Sequence, residues 1–152
     1  MICLHKPCTV ARRFLALSGC IPASKPTPPE NMKRAPQARL VAFQEAAPGT
    51  TAIVVVMRDT GVVRRPCYLA LHINGILAAR LAARETSLFY VQSGRVSLRL
   101  TSDPAGKGLC AMFHDEGPAL EVAIGENETK YFRLGTDGHG DLQLLENDGR
   151  RP

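Results

Sequence analysis

From Ala52 onward the chain alternates apolar and polar residues with a period of two, or runs briefly through β-branched residues. It never sustains a period of 3.6, so strands rather than helices are expected. Residues 52–57 (AIVVVM) read as a buried strand closed by Arg58-Asp59-Thr60-Gly61. In residues 67–73, Cys67, Leu69, Leu71 and Ile73 alternate with Tyr68, Ala70 and His72. Asn74-Gly75 follows, a hairpin signal because both central residues of a type I′ turn need positive φ. Residues 76–81 form the return strand. The alanines of 78–83 favour helix, but the preceding Asn-Gly decides for strand.

Residues 87–91 and 96–101 are expected to form a second hairpin around Gln92-Ser93-Gly94-Arg95. Further strands are predicted at 109–114, 119–124, 129–134 and 141–146, separated by turns rich in Gly, Pro and Asp. About eight or nine short strands at this spacing specify an all-β fold, an antiparallel β-sandwich or open barrel. The domain spans 49–147, and 148–152 form a disordered tail.

Composition divides the chain near residue 48. Residues 1–48 carry seven Lys or Arg and two acids, so they hold the whole formal charge of +5; the remainder is balanced at twelve against twelve. A nucleic-acid-binding domain would carry its basic patch on the folded part, so no nucleic-acid partner is expected. Seven of the eleven prolines precede Gly49. Residues 20–48 therefore read as a disordered Pro-rich tether, with Leu40, Val41 and Phe43 as its one candidate docking segment. No apolar run approaches the roughly 20 residues that cross a bilayer.

Upstream of the tether, Arg12-Arg13 and the apolar Phe14-Leu15-Ala16-Leu17 lead into Leu17-Ser18-Gly19-Cys20. This resembles the end of a bacterial lipoprotein signal, with Leu17 at −3, Ser18 and Gly19 small, and Cys20 as the lipidation site. The apolar run of four residues is shorter than the 7–15 of an ordinary secretory signal, which makes residues 1–19 a degenerate signal. Within the domain, Ile73-Asn74-Gly75, Ala79, Leu81, Glu85, Phe89, Val91, Gly94 and Leu98 form a recognisable line. With Val122-Ala123-Ile124-Gly125 and Lys130-Tyr131-Phe132-Arg133-Leu134 as a closing hairpin, it is similar to small envelope lipoproteins with uncharacterised Ig-like or PEGA-like β-sandwich domains. The resemblance implies a non-enzymatic interaction or structural module with no cofactor, attached to a membrane through a lipid. It implies an outer membrane location facing the periplasm, with an envelope protein as partner. Without a working signal the chain would be cytoplasmic.

Five cysteines are present, Cys3, Cys8, Cys20, Cys67 and Cys110. Removal of residues 1–19 and acylation of Cys20 would leave Cys67 and Cys110, a natural disulfide pair in an oxidising compartment; two separate buried thiols are the alternative. A soluble Cys/His-dependent enzyme or metal-binding protein would draw on Cys67, His72, Cys110 and His114 instead. Cys67 and His72 differ by an odd number and so point to opposite faces of a regular strand, whereas Cys110 and His114 share a face. The Thr136–Asp141 loop carries two carboxylates and His139 but lacks the alternating oxygen ligands of a calcium loop, and reads as a turn capped by its own Asp. Gly106-Lys107-Gly108 is too short for a phosphate loop. Arg64, Arg65, Arg84 and Glu85 read as solvated loop charges.

Overall fold

The computed structural model describes residues 23–61 and 66–148. Cys3, Cys8 and Cys20, the Leu17-Ser18-Gly19-Cys20 motif, Arg64, Arg65 and the 149–152 tail lie outside them.

Among the described residues, nine strands form two packed sheets that do not close into a barrel. They are β1 (Lys33–Arg34), β2 (Ala52–Arg58), β3 (Leu69–Ile73), β4 (Ile76–Leu81), β5 (Glu85–Val91), β6 (Gly94–Ser102), β7 (Leu120–Ile124), β8 (Thr129–Thr136) and β9 (Leu142–Asn147). One sheet has the order β1-β5-β2-β8-β9 and the other β4-β3-β6-β7. Most pairings are antiparallel, but β2 runs parallel to β8 and β1 parallel to β5.

The inner faces follow the period-two pattern. Val54, Val56, Phe89, Phe132 and Leu134 from one sheet meet Leu69, Leu71, Ile73, Leu98 and Leu100 from the other in one buried cluster. Asn74 and Gly75 both have positive φ, 51° and 79°, and close the β3–β4 hairpin as expected.

Two expected hairpins are instead crossings between sheets. Strand β5 pairs with β2, while β6 pairs with β3 and β7, so the turn at Gln92-Ser93 carries the chain from one layer to the other. Likewise β7 and β8 lie in different sheets, and the Gly125–Glu128 turn is the second crossing. Neither turn has an Asn-Gly pair to hold two strands side by side in one layer. Inward Val91 and Val96 fill the core whichever way the chain folds back, so alternation alone does not separate the two outcomes.

The strand expected at 109–114 is a single 3-10 turn, Gly108–Met112, with no buried residue. Leu109 and Met112 are 65% and 73% exposed. Gly108 has φ 57°, and Gly106 lies so close that a Cβ would sit 2.8 Å from the Cys110 carbonyl oxygen; the chain is bent here, not extended.

Residues 23–48 are not a disordered tether over the described range. They form a strap along the β4 and β5 edges. Lys33 N–H donates to Arg84 O at 2.9 Å, Ala35 N–H to Thr86 O at 2.9 Å, and Val41 N–H to Ala78 O at 2.8 Å. Tyr90 N–H donates back to Phe43 O at 2.9 Å. Ala35 and Leu40 enter the core cluster, with Phe43 packed against it. Prolines suit this role because an edge segment uses only some of its N–H groups; Pro28 and Pro36 hold extended ψ values of 144° and 141°. The strap covers edges that would otherwise offer unpaired backbone to another chain.

Candidate functional site

The densest polar arrangement lies at the end of the sandwich where β2, β4, β6 and β8 finish. Arg58 occupies the next inward position after Val54 and Val56, so its guanidinium is buried, and it donates to Cys67 O at 2.7 Å and to Leu81 O. It fixes the backbone at Cys67, whose sulfur is at disulfide distance from Cys110, with the Cα atoms 5.4 Å apart. The bond links the start of β3 to the exposed 3-10 turn.

Tyr68, the next residue, is flanked by two guanidinium groups. Arg39 Cζ lies 4.4 Å and Arg80 Cζ 5.3 Å from the ring centroid. Arg39 forms a two-pronged pair with Glu85 at 2.7 and 2.5 Å, and Arg80 forms another with Asp103 at 2.7 and 2.6 Å. Glu85 also accepts the Ala82 N–H at 2.7 Å. It is therefore a fixed element and not the solvated charge expected, whereas Arg84 is exposed as expected. Burial acts to raise the Asp103 carboxyl, but the Arg80 hydrogen bonds and the Ala105 N–H outweigh it and hold the group below the usual carboxylate range. Tyr68, Arg80, Asp103, Lys107 and the two cysteines line a shallow cleft. Arg80 and Asp103 compensate each other across it, which suits holding the loops in place.

Just past β2, buried Asp59 accepts the N–H of Thr27 on the strap at 2.9 Å and Arg133 Nη1 at 2.5 Å. Desolvation still pushes its carboxyl above the ordinary value.

The remaining Cys/His candidates are dispersed. His72 lies on the outer face of the four-stranded sheet, 3.1 Å from the Thr101 hydroxyl, and burial lowers its pKa. His114 lines a separate cleft with Phe113, Asp115 and Glu116. With Cys110 on a 3-10 turn, the shared strand face expected for Cys110 and His114 does not exist. Two sulfurs bonded to each other offer neither a thiolate nor a ligand. Among the described residues no three His, Cys, Asp or Glu side chains gather as a metal cage. In the Thr136–Asp141 loop, Asp137 Oδ1 accepts the N–H groups of His139 and Asp141 at 2.8 and 3.0 Å, the self-capped turn expected.

The outer face of the five-stranded sheet carries a surface that strand-by-strand reading missed. In register, Leu88 lies beside Val55 and Val55 beside Tyr131, while Tyr90 lies beside Ile53. Leu145, 51% exposed, continues the patch onto β9 beside Arg133. These side chains face away from the core and are half-buried or exposed. The signal was present in residues 52–57: a central strand apolar on both faces expects cover on both, and a two-layer sandwich covers one.

No family model, curated protein or solved structure matches the chain.

Proposed function

We propose that this protein is a lipid-anchored bacterial envelope protein, acylated at Cys20 and facing the periplasm from the outer membrane. Its sandwich serves as a non-enzymatic interaction or structural module. The observation that carries the reading is the Cys67–Cys110 pair at disulfide distance, which accounts for both domain cysteines in the way an oxidising compartment favours. Cys20 is then the cysteine between the Leu-Ser-Gly motif and the strap. Loop contacts built from compensated ion pairs suit a rigid scaffold whose surfaces, not a catalytic group, do the recognising.

Intact mass without reductant tests this on full-length protein recovered from the membrane fraction. Loss of residues 1–19, an added acyl mass on Cys20 and two missing hydrogens are expected. An unprocessed chain with five free thiols overturns the reading and returns Cys67, His72, Cys110 and His114 to metal analysis.

A further inference from the structure

We infer that the outer face of the five-stranded sheet lies against the bilayer surface, so that the domain is held flat on the membrane rather than standing away from it. This deepens the proposed function and rests on acylation of Cys20.

The first argument is reach. A tether running to residue 48 would let the domain range tens of ångströms from its anchor, but the strap is fixed from Ser24 onward. Ser24 N–H donates to Thr136 O and its hydroxyl accepts the Thr136 N–H, both at 2.8 Å. It also sits against Gly135, where a Cβ would come within 2.7 Å of the Ser24 side chain. Gly135 shares the outward parity of Tyr131 and Arg133 on β8. The chain therefore departs toward Cys20 beside this face, and the four intervening steps span at most about 14 Å. An acyl group in the bilayer would bring the edge of the face to the headgroups.

The second argument is the chemistry of the face. The outward positions of β5, β2, β8 and β9 include Ile53, Val55, Leu88, Tyr90, Tyr131 and Leu145, and not one Asp or Glu. Exposed Arg34 stands at its rim beside Thr86. Tyrosines with an apolar body and a polar tip, next to a cation and with the Asp59 carboxylate buried in its pair with outward Arg133, match an interface of acyl chains below and phosphates above. The opposite sheet presents Ser97, Arg99, Thr101, His72 and Glu121 outward, with Arg99 paired to Glu116, and suits water.

The chain's three tyrosines allow a direct test. Tyr90 and Tyr131 lie on the face, and Tyr68 lies between Arg39 and Arg80 at the end of the sandwich. Full-length acylated protein in vesicles of phosphatidylethanolamine and phosphatidylglycerol is exposed to hydroxyl radicals, and oxidation of each residue is read by peptide mass. The unacylated Cys20→Ser chain in solution is the reference. A severalfold loss of oxidation at Tyr90 and Tyr131, with Tyr68 unchanged, is expected. Leu88→Glu, outward and not a member of the core cluster, should abolish that protection in the acylated chain while its thermal unfolding stays near that of the parent.

Acyl mass on Cys20 with Tyr90 and Tyr131 still fully oxidised overturns the inference and leaves the anchor standing. Protection confined to Leu109 and Met112 overturns it in favour of a domain standing on its end. Protection of the tyrosines in the Cys20→Ser chain without vesicles, growing with protein concentration, assigns the face to a second copy. Absence of acyl mass removes the anchor reading and this inference together.

Discussion

Replacing Cys67 and Cys110 together by alanine removes the one covalent link between β3 and the exposed turn. The two residues are 43 apart in sequence, and closing a loop of that length lowers the entropy of the unfolded chain by an amount worth about 4 kcal/mol at 25 °C. The whole of that is not expected in the measured stability, because the two ends differ in the folded state. Cys67 is 5% exposed and its carbonyl is held by Arg58, so it stays in place without the bond. Cys110 sits on a turn with no buried residue, and breaking the bond lets that turn loosen in the folded protein as well. The folded state regains part of the entropy, and the net loss should be about 2–3 kcal/mol. With a urea m-value of about 1–3 kcal/mol/M, the midpoint should fall by roughly 1–2 M. Urea unfolding followed by far-ultraviolet circular dichroism, on parent, reduced parent and double variant, reads this. Reduced parent and double variant should coincide. An unchanged midpoint in both would refute the bond, and a loss above the full loop value would refute the loosened turn.

Arg58→Leu leaves the Cys67 and Leu81 carbonyls without their buried donor, and should lower unfolding stability by about 3 kcal/mol, read by thermal denaturation. Asp103 has a folded pKa below its unfolded value, so its contribution is present above the unfolded value of 3.8 and lost as pH falls through the folded one. Urea midpoints taken downward from pH 5 should therefore fall less steeply in Asp103→Asn than in the parent, and parallel slopes would contradict the Arg80 pairing. Gly75→Ala meets no atom within 4 Å, so only its φ of 79° opposes a side chain, and a loss of about 1 kcal/mol in urea unfolding is expected.

Strand positions were readable because the core selects one parity in each strand. Residues 76–81 match β4 at both ends, and 52–57, 119–124 and 129–134 fall within one or two residues of β2, β7 and β8. Strand partners were not readable in the same way. The parity that puts Val91 and Val96 inward is satisfied by a hairpin or by a crossing, and only the turn chemistry separates them. The stretch 109–114 is a short apolar run that reads as a strand, yet its residues have no place in the core. Pinning at Cys110 and the Arg80–Asp103 pair turn the chain outward instead. Arg58 was open to view by parity, since it continues the inward series of Val54 and Val56; reading Arg58-Asp59 as a turn set that aside. The Arg39–Tyr68–Arg80 stack joins residues from the strap, the start of β3 and β4, and no local pattern links such positions.

The strap changes what the Pro-rich composition means for function. Low periodicity and many prolines describe a chain that cannot build a core of its own, and such a chain is either free or laid on an existing edge. Here the edges of β4 and β5 supply the missing hydrogen-bond partners, and Thr27, Ala35 and Leu40 supply enough burial to keep the segment in place. Gly135 is the residue on which this depends at the upstream end, because any side chain there must push Ser24 away. Gly135→Val should free the first strap residues while leaving the core strands intact. Amide exchange of Ser24 and Lys25 should then quicken strongly, while that of Val41, bonded to Ala78 at the far end of the strap, stays slow. If Val41 quickened equally, the strap would be one cooperative unit, and its upstream hold on the sheet could not be adjusted separately from its cover of the β4 edge.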